Sequence, residues 1–166
     1  MWDSFYSFVS RLFNMNLSFD NRLAIGYKSG SQISRVVTEG WMSSNMYCPI
    51  CGAPVLSHYT ANKPVADFFC EGCTSDFELK SKESKTAHID RTIADGAYRT
   101  MIERITSLRN PNLFVMTYSN WKVNNLLLIP NYFFTPAIIE KRGGVDILGD
   151  ENPAARYQSM EYKDYQ

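Results

Sequence analysis

The sequence predicts a mixed α/β (α+β) domain that carries a four-cysteine metal module. Three observations lead there. Several stretches repeat apolar residues every three or four positions, as helices with one covered face do. Two later stretches are apolar almost throughout, as strands covered on both faces are. All four cysteines fall in two Cys-x2-Cys pairs, Cys48–Cys51 and Cys70–Cys73. A length of 166 residues suits about one domain with an ordinary core.

The elements follow in order. Phe5, Phe8, Val9, Leu12 and Phe13, with Trp2 one turn earlier, predict an N-terminal helix over 2–13. Ile33, Val36, Val37 and Trp41 form one stripe of a second helix over 31–45, with Ser29 or Ser31 as N-cap. From Tyr47 the text changes to short strands and tight turns, punctuated by Gly52 and Gly72. Ile93, Ala97, Tyr98, Met101, Ile102, Ile105 and Leu108 predict a long amphipathic helix over 90–109, ended by Asn110-Pro111-Asn112. Strands are expected over 113–118 and 123–129, joined by a Ser119-Asn120 turn. Thr135 and Pro136 read as N-cap and first residue of a short helix. Beyond Arg142 the periodicity fades and acids outnumber bases, so 143–166 is expected to be an irregular tail.

Charge and hydropathy remove several classes. Seventeen Lys and Arg balance seventeen Asp and Glu, which excludes a strongly basic surface over the whole molecule; any basic face is local. No apolar run approaches the ~20 residues that span a bilayer, and the first residues lack the basic start and unbroken apolar stretch of a signal peptide. An intracellular, cytoplasmic protein is the expectation, without a membrane partner or a small-molecule substrate, and with a monomer favoured.

In such a compartment disulfides are disfavoured, and two Cys-x2-Cys pairs fit a four-thiolate Zn2+ site. Four protein ligands leave no open coordination position, so Cys48, Cys51, Cys70 and Cys73 would hold a structural ion. His58 and His88 have no partner at ligand spacing and read as surface or packing residues.

Around the second pair stand Asp67 and the run Asp76-Phe77-Glu78-Leu79-Lys80. On a strand alternate residues share a face, so Glu78 and Lys80 point one way while Phe77 and Leu79 point into the core. Asp67 lies on the preceding strand of the same hairpin, which brings two carboxylates and a lysine together. Phosphodiester hydrolysis needs Mg2+ on oxygen ligands, which Asp67 and Glu78 can supply, and a neighbouring ammonium such as Lys80 to orient water and offset developing charge. Alternating charges on an edge strand are also what a solvated face looks like, so the pattern by itself leaves both readings open.

A longer set of motifs is more specific. The run NKPVADFFCEGCTSDFELKSK, the DGAY at 95–98, NPNLFVMTYSNWKVNNLLLIP and TEGW closely resemble the DpnI-type, Dam-replacing family of restriction endonucleases over roughly 23–142. The resemblance implies a PD-(D/E)xK restriction-endonuclease-like core over 17–142 with the zinc module inserted at 47–74. It implies Asp67, Glu78 and Lys80 as catalytic residues, Asp67 and Glu78 as Mg2+ ligands, and a type II endonuclease activity. The implied partner is double-stranded DNA carrying N6-methyladenine in GATC. Ala66 precedes Asp67, so the strict Pro-Asp spelling is absent. Eight bases against four acids between 79 and 125 make Lys82, Lys85, Arg91 and Arg99 candidates for phosphate contacts. Residues 1–16 read as an extension, and the winged-helix domain that follows the core in this family is not recognisable. The alternatives are a non-catalytic zinc ribbon that binds DNA or protein, and a truncated remnant of such a nuclease.

Overall fold

The computed structural model describes residues 15–59, 66–86, 88–89, 92–141 and 154–158. The helix expected over 2–13 lies outside them. A 3-10 turn at Asn21–Ala24 is capped by Asp20, whose side chain accepts from the Arg22 amide. It leads into helix α1, Gly30–Asn45, with Val37, Thr38, Trp41 and Met42 buried on one stripe. Ser29 occupies the N-cap position, but its hydroxyl makes no capping bond and lies 2.8 Å from the Ser31 hydroxyl instead.

The main sheet has five strands. β1 (Ser57–His58), β2 (Phe68–Phe69) and β3 (Asp76–Glu83) are antiparallel neighbours, and β3 runs parallel to β5 (Asn112–Ser119), which pairs antiparallel with β6 (Lys122–Ile129). β4 (Thr92–Ala97) belongs to a second, three-stranded sheet with β8 (Ala154–Gln158) in the middle and β7 (Ile139–Lys141) beyond it. A short helix α2 (Tyr98–Ile105) follows β4 directly and buries Met101 and Ile105.

The main sheet is covered on both faces, which explains the nearly unbroken burial of β5 from Asn112 to Thr117. One face packs with α1 and the cysteine module: Trp41, Met42, Phe68, Phe77, Phe114 and Met116 form this larger cluster. The other face packs with α2, through Leu113, Val115, Met101, Ile105, Phe134 and Ile139. Polar contacts also tie α1 to the sheet, since Tyr118 donates to the Ser34 hydroxyl (2.9 Å) and Thr38 to the Ser81 hydroxyl (3.3 Å). Trp41 donates its indole N–H to the Asn16 carbonyl at 2.6 Å, which fastens the segment before α1.

Four expectations are corrected. The helix of 90–109 is a strand over Thr92–Ala97 and a helix only from Tyr98 to Ile105, because β4 pairs with β8, a partner far along the chain. The irregular tail contributes that partner at Ala154–Gln158. The helix at Thr135–Pro136 is a single 3-10 turn, Pro136–Ile138, running straight into β7. The strands expected over 113–118 and 123–129 are present, each slightly longer. Their turn is Asn120–Trp121 rather than Ser119–Asn120; both residues are left-handed (φ 49° and 60°), as a two-residue hairpin turn compatible with strand twist requires.

Candidate active site and metal centre

The cysteine module is built from two tight knuckles. In the first, the Gly52 amide returns to the Cys48 carbonyl and the Cys48 amide to the Ala53 carbonyl, both at 2.8 Å. Gly52 is left-handed there (φ 78°), a conformation open to a residue without Cβ. In the second, the Thr74 amide returns to the Cys70 carbonyl (2.8 Å), and the left-handed residue is Thr74 (φ 59°), not Gly72.

The knuckles bring all four sulfurs within 4.8 Å of one another. Cys48 and Cys73 are 3.6 Å apart, as are Cys51 and Cys70. Tetrahedral Zn2+ with bonds of about 2.3 Å has sulfur–sulfur edges of about 3.8 Å, so the donor set fits such an ion in number, chemistry and spacing. None of the four is in a disulfide. Burial pushes the Cys48 thiol up to about 12, while the hydrogen bond with Ser75 (3.2 Å) brings Cys73 down to about 6.

β2 leads into the second knuckle and β3 out of it. Phe68 faces Phe77 across the pair, and the chain continues to Asp67, whose amide donates to the Phe77 carbonyl at 3.0 Å. The Asp67 carboxylate accepts the Leu79 amide at 2.7 Å, a bond to the residue between Glu78 and Lys80. Phe77 is fully buried and Leu79 packs against the same cluster, so alternation sends Glu78 and Lys80 to the opposite face. There Lys80 Nζ lies 2.6 Å from Glu78 Oε1, the two side chains being 27% and 9% exposed.

The second oxygen of Glu78 is also engaged. Arg104, on α2, donates Nη2 to Glu78 Oε2. Sequence patterning missed this arginine as a partner, although a charged residue beside the core-facing Ile105 was a signal. A further carboxylate adjoins the site. Glu39, on α1, is bonded to His58 Nε2 at 3.0 Å; burial raises its carboxyl above the usual range, the His58 charge opposes this, and the Asp67 charge adds to it. His58 thus has a partner, and its ring also packs edge-on against Phe68 at 5.0 Å.

The candidate phosphate contacts are dispersed. Lys82 is exposed on β3, two residues beyond Lys80, and Lys85 is exposed just past the strand end. Arg99 lies on the outer side of α2, within 3.0 Å of Glu103. Arg91 is outside the described residues. A cavity of about 310 Å3 adjoins the site, lined by Lys80, Lys82, Ile89, Ile93, Val115 and Thr117 among others.

Fold and site together define an α+β protein with a thiolate centre positioned for a metal such as zinc, and a carboxylate–lysine–arginine cluster on the strand leaving it. A family model described as DpnI, Dam-replacing family, matches residues 15–153. The chain belongs to this family, and membership points to a restriction-type nuclease with DNA as its partner. The match extends past both ends of the resemblance seen at 23–142, and takes in the whole segment up to the start of β8. No helix among the described residues is long and apolar enough to cross a membrane.

Proposed function

We propose that the chain is a Mg2+-dependent type II restriction endonuclease with a PD-(D/E)xK core. Its substrate is double-stranded DNA containing N6-methyladenine in GATC. The observation that supports this best is the bond from the Leu79 amide to Asp67, which ties this carboxylate to the backbone between Glu78 and Lys80. Asp67 and Glu78 are the ligands in this reading. A divalent ion held by them would supply a water of lowered pKa and offset charge building on the phosphate. Lys80 keeps the Glu78 carboxylate oriented from 2.6 Å and offers an ammonium to the attacking water or a phosphate oxygen. Lys82, Lys85, Arg91 and Arg99 contact phosphates, which positions DNA without reading it. Cys48, Cys51, Cys70 and Cys73 hold Zn2+, which fixes the start of β3 and hence the aim of Glu78 and Lys80.

The test is incubation with Mg2+ and a GATC plasmid, adenine-methylated or unmethylated. The parent chain is expected to cut the methylated form, whereas Asp67→Ala and Glu78→Gln leave it intact while still retarding DNA fragments. Cleavage by Asp67→Ala at the parent's rate would overturn the assignment, and binding without cleavage by the parent would favour a zinc-ribbon binder.

A further inference from the structure

We infer that Arg104 is a positioning residue that competes with the divalent cation for Glu78, and so sets the metal concentration at which the site fills. The inference rests on the reading of Glu78 as a metal ligand. Both oxygens of this carboxylate face cations: Oε1 meets Lys80 and Oε2 meets Arg104. The three side chains are only 27%, 17% and 9% exposed for Lys80, Arg104 and Glu78, so water screens them poorly. A glutamate buried this deeply needs this neutralisation while no metal is present, because a lone buried carboxylate carries a large desolvation cost.

The two cations are not equivalent. Lys80 sits two residues from Glu78 on the same strand, so the pair shares a rigid frame. Arg104 comes from α2, which packs on the sheet through Met101 and Ile105. Its guanidinium reaches Glu78 from a separate element at the end of a long side chain. A small divalent ion held by Glu78 would stand close to that guanidinium, and like charges at such range oppose one another. Arg104 belongs to α2, so its side chain can turn away without moving β3. It therefore holds Glu78 in place before the metal binds and weakens metal binding by the free energy of its own displacement.

Zinc-replete protein without DNA is titrated with Mn2+, an oxygen-preferring probe, and followed by calorimetry. Arg104→Gln removes the charge but keeps a hydrogen-bond donor. It is expected to bind Mn2+ about tenfold tighter, as removal of one nearby like charge implies, and to reach half-maximal cleavage at correspondingly lower Mg2+. Arg104→Lys retains the charge and is expected to bind Mn2+ as the parent does. A purely structural role would instead weaken binding in Arg104→Gln, and unchanged or weaker Mn2+ binding there would overturn the inference. On the unaltered chain, Ca2+ saturation is expected to release the restricted rotation of the Arg104 guanidinium in 15N spectra, and a signal unmoved at saturation would also overturn it. Glu78→Gln is the control for the underlying reading: if it binds Mn2+ as tightly as the parent, Glu78 is not a ligand and the functional assignment falls first.

Discussion

Cys48 and Cys73 stand at opposite ends of the thiol scale within one cluster. Burial raises Cys48 to about 12, and the Ser75 bond lowers Cys73 to about 6. At neutral pH Cys73 is a thiolate, the state a metal binds, while Cys48 keeps its proton, as does Cys51, whose thiol is also raised. Zn2+ binding at pH 7.4 is therefore expected to release at least two protons but fewer than four. Calorimetry in buffers of different ionisation enthalpy reads this number directly, and release of four would contradict the lowered Cys73. These cysteines were legible in the sequence because ligand type and spacing are local properties. Glu78 and Lys80 were legible for a related reason, since strand alternation alone puts them on one face. Arg104 was not, because its contact with Glu78 depends on how α2 docks on the sheet. Likewise nothing local in the sequence marked Glu39 and His58, which lie on α1 and β1, as partners.

Among the elements, α1, β5 and β6 follow from apolar patterning within their own length. The misreading of 92–97 has a clear physical source. Ile93, Ala97 and Met101 continue the helical spacing of α2, and the strand is selected by its β8 partner, which no local window contains. The one contrary local signal was Gly96, a poor residue for a helix interior. Because β8 lies between β4 and β7, a chain ending at Lys141 leaves both of these strands without their ladder. Such a truncation is expected to remove hydrogen-exchange protection from Thr92–Ala97 and Ile139–Lys141, while β3 and β5 remain protected. Retained protection in β4 would show that another strand replaces β8. On α1, the raised carboxyl of Glu39 gives stability a pH dependence. Its folded value lies above its unfolded value, so its contribution is complete below the ordinary glutamate range and is lost as pH rises through the folded value. The melting temperature of the parent minus that of Glu39→Gln is therefore expected to fall between pH 5 and pH 7.5. A difference that grows with pH would reverse the sign assigned to burial.

For the molecule as a whole, a formal net charge of zero means that DNA attraction comes from a few local bases and not from the overall field. With Lys82, Lys85, Arg91 and Arg99 as phosphate contacts, the logarithm of affinity is expected to fall against the logarithm of salt with a slope of about −3.6, near −0.9 per contact. A slope close to zero would remove these residues from the interface. The mixed directions of the main sheet have a consequence for the order in which it assembles. β2 meets β3 across a short hairpin, Phe68 against Phe77, whereas β3 meets β5 in parallel, Phe77 against Asn112, across the whole of β4 and α2. The first pairing closes a small loop and the second a large one, so the first forms at lower entropic cost. A metal ion that gathers the two knuckles would complete the nascent hairpin early and present β3 as a template on which the later strand docks. Loss of the ion would then slow refolding at the step that joins β3 to β5, even where the finished protein tolerates its removal.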